Sequence, residues 1–177
     1  MSSSDGRGRR GWSRRGAALA LLAPLLTPVL GLSACGFKLR QPARLNFSSI
    51  ALVGFAPRSP LAEELRLRLS AQVKVLESPD RADVVLLALT DLREKSVVAT
   101  TAAAQVREFE LRLKFAFRAQ RPDGQVLLPK AELLLTRSLS YNESQALAKE
   151  FEEGELYREM QNDLALQVLS RLAAINP

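Results

Sequence analysis

The chain has 177 residues, with 25 lysines and arginines against 19 aspartates and glutamates, for a net charge of +6 at neutral pH. It contains no histidine and one cysteine, which excludes Ser-His-Asp and Cys-His catalysis, argues against a zinc site, and leaves no internal disulfide. Five of the arginines fall within the first 15 residues, so most of the excess charge belongs to the N-terminus and does not point to a nucleic-acid partner.

The N-terminus has three parts in a fixed order. A basic stretch with Arg7, Arg9, Arg10, Arg14 and Arg15 precedes an apolar run from Ala17 to Leu32, which ends in Leu32-Ser33-Ala34-Cys35. A charged flank, a short apolar run and small residues at a cut site describe a secretory signal. The run holds Pro24 and Pro28 and is 16 residues long, short of the roughly 20 that a membrane-spanning helix needs. Leu-Ser-Ala-Cys resembles the lipobox of bacterial lipoproteins, which implies that Cys35 is acylated and becomes the first mature residue. Firm anchoring takes two or more acyl chains. The expected organisation is therefore a lipoprotein signal peptide at 1–34, a lipidated tether at 35–46 and a single domain at 47–177. Without the signal, 143 residues remain, carrying 20 basic and 18 acidic side chains.

Within the domain, Phe47 to Phe55 alternates as a strand does. Ser59-Pro60 then supplies an N-cap and a first helical position, and Glu63 and Glu64 suit a positive first turn. Leu61, Leu65 and Leu69, widened by Ala62, form the stripe of that helix. Val73 to Leu76 reads as a short strand and Ser78-Pro79-Asp80 as a turn. Val84 to Leu92 is nearly continuous apolar sequence, the pattern of a strand covered on both faces. Residues 96–105 are small and weakly polar and read as a loop or strand end.

The clearest strand follows. Phe109, Leu111, Leu113, Phe115 and Phe117 point one way, and Glu108, Glu110, Arg112, Lys114 and Arg118 the other. Arg121-Pro122-Asp123-Gly124 supplies a hairpin turn with glycine at the positive-φ position. The return strand is expected from Val126 to Leu139, and Tyr141 to Ser144 is a polar connector. A long helix begins near Leu147 or Glu155 and ends at Ala174, with a stripe of Leu156, Met160, Leu164, Val168, Leu172 and Ile175. The order β-α-β-β-β-β-α predicts an α+β fold, with two helices packed on one face of a four- to five-stranded, mostly antiparallel mixed sheet.

Several short stretches resemble one known family. Cys35-Gly36-Phe37-Lys38-Leu39-Arg40 is similar to the start of mature LPS-assembly lipoproteins of the LptE family. Tyr141-Asn142, Ala146-Leu147-Ala148-Lys149, Arg158-Glu159-Met160, Asp163-Leu164-Ala165 and Arg171-Leu172 follow in the family's order. The resemblance covers residues 35–40 and 107–174. It implies a non-enzymatic outer-membrane lipoprotein, without cofactor or metal, that plugs an LptD-type outer-membrane β-barrel. Such a plug helps the barrel to fold and lipopolysaccharide to reach the outer leaflet. The resemblance also implies that Cys35 is the lipid site and Lys149 a contact for lipopolysaccharide, and Gly36 resembles the residue behind the cysteine of lipoproteins sent to the outer membrane.

Other readings stand beside these. Arg112, Lys114 and Arg118, flanked by Arg121 and Lys130, form a basic stripe of the kind that holds phosphorylated sugar. Glu108 and Glu110 share that face, as they would on a merely solvated strand. Lys149 reads equally as a helix-flank lysine in water. Leu166 and Leu169 lie off the main helical stripe and either widen the core face or meet a partner. A periplasmic cell-wall enzyme using Glu152 and Glu153 is a rival function. Adjacent helical residues point about 100° apart, however, and do not converge on one bond. An accessory lipoprotein of another envelope secretion machine is a third possibility.

Overall fold

The computed structural model describes residues 44–177. The expected signal peptide, Cys35 and residues 36–43 lie outside that range. The elements are β1 (Ser49–Val53), α1 (Pro60–Ser70), β2 (Lys74–Leu76), β3 (Val84–Thr100), β4 (Val106–Gln120), β5 (Val126–Ser140) and α2 (Ala146–Leu172). Short 3-10 turns occupy Pro79–Arg81 and Glu143–Gln145. The five strands form one sheet in the order β2-β1-β3-β4-β5. Strand β1 runs parallel to both its neighbours, and β3, β4 and β5 form an antiparallel meander.

Helix α1 starts where its sequence says it should. Ser59 Oγ accepts a hydrogen bond from the Ala62 backbone N–H at 3.1 Å, Pro60 takes the first helical position, and Glu63 sits in the first turn. Such a cap is worth about 1 kcal/mol. Leu61, Ala62, Leu65 and Leu69 are buried, as the spacing requires. Both helices cover one face of the sheet. There Ile50, Leu86, Leu111, Phe115 and Phe117 meet Leu65 and Leu69 of α1 and Met160, Leu164, Val168 and Leu172 of α2 in a single core.

A bulge in β3 decides what that strand offers to each side. Ala88 pairs with Phe117 and Thr90 with Ala116, which leaves Leu89 without a partner. An extra residue reverses the side-chain phase. Before the bulge Val84, Leu86 and Ala88 join the main core; beyond it Asp91, Arg93 and Lys95 lie opposite Phe115, Leu113 and Leu111 and share their face. Ser59 Oγ donates to Asp91 Oδ2 at 2.5 Å, which fastens the start of α1 to this part of the strand.

Double coverage of β3 is correspondingly short. Val84, Val85 and Leu86 are all buried, with Val85 in a small cluster on the other face beside Ala51 and Ala82. Leu89 and Leu92 are exposed by 44% and 48%. The continuous apolar run therefore marks a buried strand only over its first half.

Residues 96–105, expected as a loop or strand end, divide between the two. Strand β3 continues to Thr100, and only Thr101–Gln105 turns. That turn and the one at Arg121–Gln125 have the same form. Thr101 N–H donates to Gln105 O and Arg121 N–H to Gln125 O, both at 2.8 Å. The second places Gly124 at φ +91°, whereas the first places Ala104 at φ +60°. An alanine in the left-handed region carries no turn signature, so the first hairpin is hidden in the sequence. In β5 the register slips beside Pro129, since Phe117 pairs with Ala131 and Ala119 with Leu128. Proline is tolerated at such a place on an edge strand.

Candidate functional site

Two groups of basic side chains stand out, and they face opposite ways. Arg112, Lys114 and Arg118 of β4 project from the face that the helices leave open. Cross-strand rows give this face its character. Lys114 lies between Leu92 of β3 and Leu134 of β5, and Arg112 between Glu94 and Thr136. Leu134 is 62% exposed, so a lysine flanked by two exposed leucines offers both charge and apolar surface. Arg112 forms an ion pair with Glu110, two residues away on the same strand. Arg118 is half-buried opposite Leu87, and its Nε has no hydrogen-bond partner. Near the edge, Lys130 bonds to Glu132 and holds its carboxyl below the usual value, with a further contribution from the charge of Lys114. The open face is thus a mixed apolar and basic surface whose cations are only partly neutralised.

Lys149 belongs to the other group. It sits in the first turns of α2, on the helix-covered side, and is not brought together with the β4 stripe. Its ammonium lies 2.8 Å from Glu152 Oε2 and 3.0 Å from Ser140 Oγ, and its side chain is 15% exposed. A shallow cleft of about 400 Å³ opens beside it, lined by Lys95, Leu139, Tyr141, Glu150 and Glu153 among others. Lys95 Nζ bonds to Glu153 Oε2 at 2.6 Å and lies 4.1 Å from the centre of the Phe109 ring. Every lysine here has a carboxylate at hand. An anion at Lys149 competes with Glu152, whose side chain is 48% exposed and free to turn to solvent.

Neighbouring residues hold this end of the domain together. Tyr157 of α2 is buried and donates from its hydroxyl to the Glu94 carbonyl at 2.6 Å. The Arg93 guanidinium stacks 3.6 Å above its ring and also reaches Glu153 at 3.8 Å. Burial pushes the Tyr157 phenol above its ordinary value, opposed by the hydrogen bond and charge of Arg93. A phenol with a raised folded value contributes stability in full below about pH 10, and that contribution disappears as pH rises through the folded value. Tyr157→Phe should therefore cost about 1 kcal/mol at neutral pH and remove this alkaline component, as urea titrations at pH 7 and pH 11 will measure.

The helical stripe read from the sequence passes through Leu156, which is only half-buried, and misses Tyr157. The signal was present in the 3-4 spacing of Tyr157, Met160 and Leu164. Arg93, Lys95 and Glu153 gave no such signal, because the β3 bulge sets which way the first two point. Leu169 is buried and widens the core face, whereas Leu166 remains 48% exposed. Glu152 and Glu153 point apart, one to Lys149 and the other to Lys95, and do not act as a pair. Among the described residues no group of three or more acidic or cysteine side chains converges to hold a metal ion.

A family model and two relatives point to one family. Residues 47–172 match the LptE family, described as lipopolysaccharide-assembly. The chain is 30% identical over 164 residues to the LPS-assembly lipoprotein LptE of Pectobacterium atrosepticum, covering 86% of each chain. It is 28% identical over 160 residues to the protein of the same name from Photorhabdus laumondii, covering 86% of this chain and 87% of that one. Among solved structures, lipoprotein B of Nitrosomonas europaea superposes with a TM-score of 0.67 at 31% identity, covering 78% of this chain and 91% of that chain. The rare lipoprotein B of Shewanella oneidensis shares the fold, with a TM-score of 0.60. With its β-α-β-β-β-β-α order, helix-covered sheet and match over residues 47–172, the chain belongs to the LptE family of lipopolysaccharide-assembly proteins.

Proposed function

We propose that this protein is an outer-membrane lipoprotein, anchored through Cys35, that plugs an LptD-type β-barrel, assists its assembly and helps lipopolysaccharide pass to the outer leaflet. The observation that carries this reading is family membership across nearly the whole described domain. Shape is consistent with it. The 17 residues of β3 extend about 55 Å, and five strands side by side are about 20 Å wide. Such a slab suits the lumen of a barrel large enough to hold a plug, as those of about 22 strands do. The role is binding and scaffolding, without catalysis.

Lipopolysaccharide is an amphiphile with phosphorylated sugars and acyl chains, so its recognition calls for basic groups beside apolar surface. The open face supplies Arg112, Lys114 and Arg118 beside Leu92 and Leu134, and the α2 end supplies Lys149. In this reading the four cations are ligand contacts on two separate surfaces. Depleting the protein should lower the yield of mature barrel and admit large hydrophobic antibiotics; normal barrel yield would refute the assembly role. For the soluble domain, Lys149→Asp should weaken lipopolysaccharide binding severalfold. Adding Arg112→Asp and Lys114→Asp should weaken it further, with the remaining affinity falling as salt screens exposed charges. Unchanged binding in the triple variant would remove these residues from the site. Cys35→Ser should abolish palmitate labelling, and labelling that persists would move the lipid site elsewhere.

A further inference from the structure

Helix α2 is 27 residues long, yet its first buried side chain is Tyr157. Residues 146–153 add nothing fully buried to the core and are held by polar contacts, Lys149 to Ser140 and Glu152, and Glu153 to Lys95. On the outward side of this extension, Leu147 is 84% exposed and Phe151 is 72% exposed. Four residues apart, they lie one above the other on the same helical face. Isolated exposed leucines are ordinary. An i, i+4 pair of large apolar side chains on a helix that projects past its own core is the pattern by which an amphipathic helix enters a groove.

The surrounding charge identifies the kind of groove. Residues 143–155 hold five glutamates and one lysine, and that lysine is turned inward. Glu143, Glu150 and Glu152 are exposed around the apolar pair. Helices that lie on membranes carry lysine and arginine on their polar face; here the exposed rim is glutamate, and the one lysine, Lys149, is turned inward. We infer that the first two turns of α2 dock into a protein partner whose apolar groove is rimmed by lysine or arginine. Asn46 Nδ2 donates to the carbonyls of Ala173 and Ile175, both at 3.3 Å, so the described chain begins at the C-terminal end of α2. The docking turns lie at its other end, about 40 Å away for a helix of this length. The inference goes beyond the proposed function and does not depend on the partner being a barrel.

The test uses the full-length lipoprotein in its native membrane, with Phe151 replaced by the photoreactive residue p-benzoylphenylalanine. A control carries the same residue in place of Leu67, which is 69% exposed on α1. Irradiation should give a protein adduct from position 151 alone, with apolar residues beside lysine or arginine in the cross-linked peptide. Combining Glu150→Lys with Glu152→Lys should cut the adduct yield at least about tenfold, since reversed rim charges then meet like charges; Leu147→Ser should also lower it. Adducts to lipid alone, equal adducts from both positions, or a yield indifferent to charge reversal would overturn the inference. Recovery of a barrel by the unaltered chain without any adduct at position 151 overturns the inference and leaves the proposed function standing. A charge-dependent adduct to a non-barrel protein, with no barrel recovered, does the reverse.

Discussion

Phe115→Asp should leave no folded domain. Phe115 is fully buried, stacked against Phe117 with ring centres 5.2 Å apart and against Phe55 at 5.6 Å. Removing such a ring costs about 3–5 kcal/mol, and a carboxylate placed in the cavity adds several more unless it is neutralised. Its cross-strand partner on the same face is Asp91, already engaged by Ser59. Two carboxylates would then stand directly opposite one another, an arrangement that destabilises a sheet. The sum approaches or exceeds the roughly 5–15 kcal/mol that holds a domain together. Arg118→Asp, three residues along and on the open face, should cost no more than about 1 kcal/mol. Its Nε has no partner to lose. Soluble yield and circular dichroism of the two variants decide the matter, and equal losses would refute the facing of β4.

Gly54→Ala is the second large effect. Gly54 follows β1 at φ +81°, and a Cβ there would stand 2.4 Å from the Ala88 carbonyl oxygen. Left-handed backbone alone costs a substituted residue about 1–2 kcal/mol. The overlap is with backbone at the β3 bulge, which cannot swing aside as a side chain would. We expect a loss of about 3 kcal/mol or more, which lowers Tm by about 10 °C. Gly124→Ala separates the two causes, because Gly124 has φ +91° with nothing within 4 Å of a Cβ. It should lose only the conformational part, a cost the fold already bears at Ala104. Thermal melts in which the two variants shift equally would show that the close approach at Ala88 is unimportant.

These two cases also show where sequence informs structure and where it does not. The Phe109–Phe117 alternation, the Ser59-Pro60 cap and the Arg121–Gly124 turn each satisfy a local requirement with local residues, and each was legible. The bulge at Leu89 has no local signature. It lies just past Leu87, where the pairing of β3 with β1 ends and the pairing with β4 continues. The bulge reverses the faces of Arg93 and Lys95, and no reading of the strand alone brings them to Tyr157 and Glu153. The position of the Thr101–Gln105 turn within the expected loop or strand end was hidden for a different reason, since Ala104 adopts a conformation that its side chain disfavours. For the candidate site, the shared face of Arg112, Lys114 and Arg118 followed from period-two alternation. The separation of Lys149 from them did not, because it depends on which sheet face receives α2.

Isolating the intact lipoprotein from native membranes in mild detergent identifies the protein it is bound to. A plug inside a barrel is held by extended surface contact, so a large β-barrel protein should co-purify one to one. It should persist in salt high enough to screen surface charges, and in the variant that combines Lys149→Asp, Arg112→Asp and Lys114→Asp. Recovery of the lipoprotein without any barrel, under conditions that keep other envelope complexes whole, would show that it is not a barrel plug.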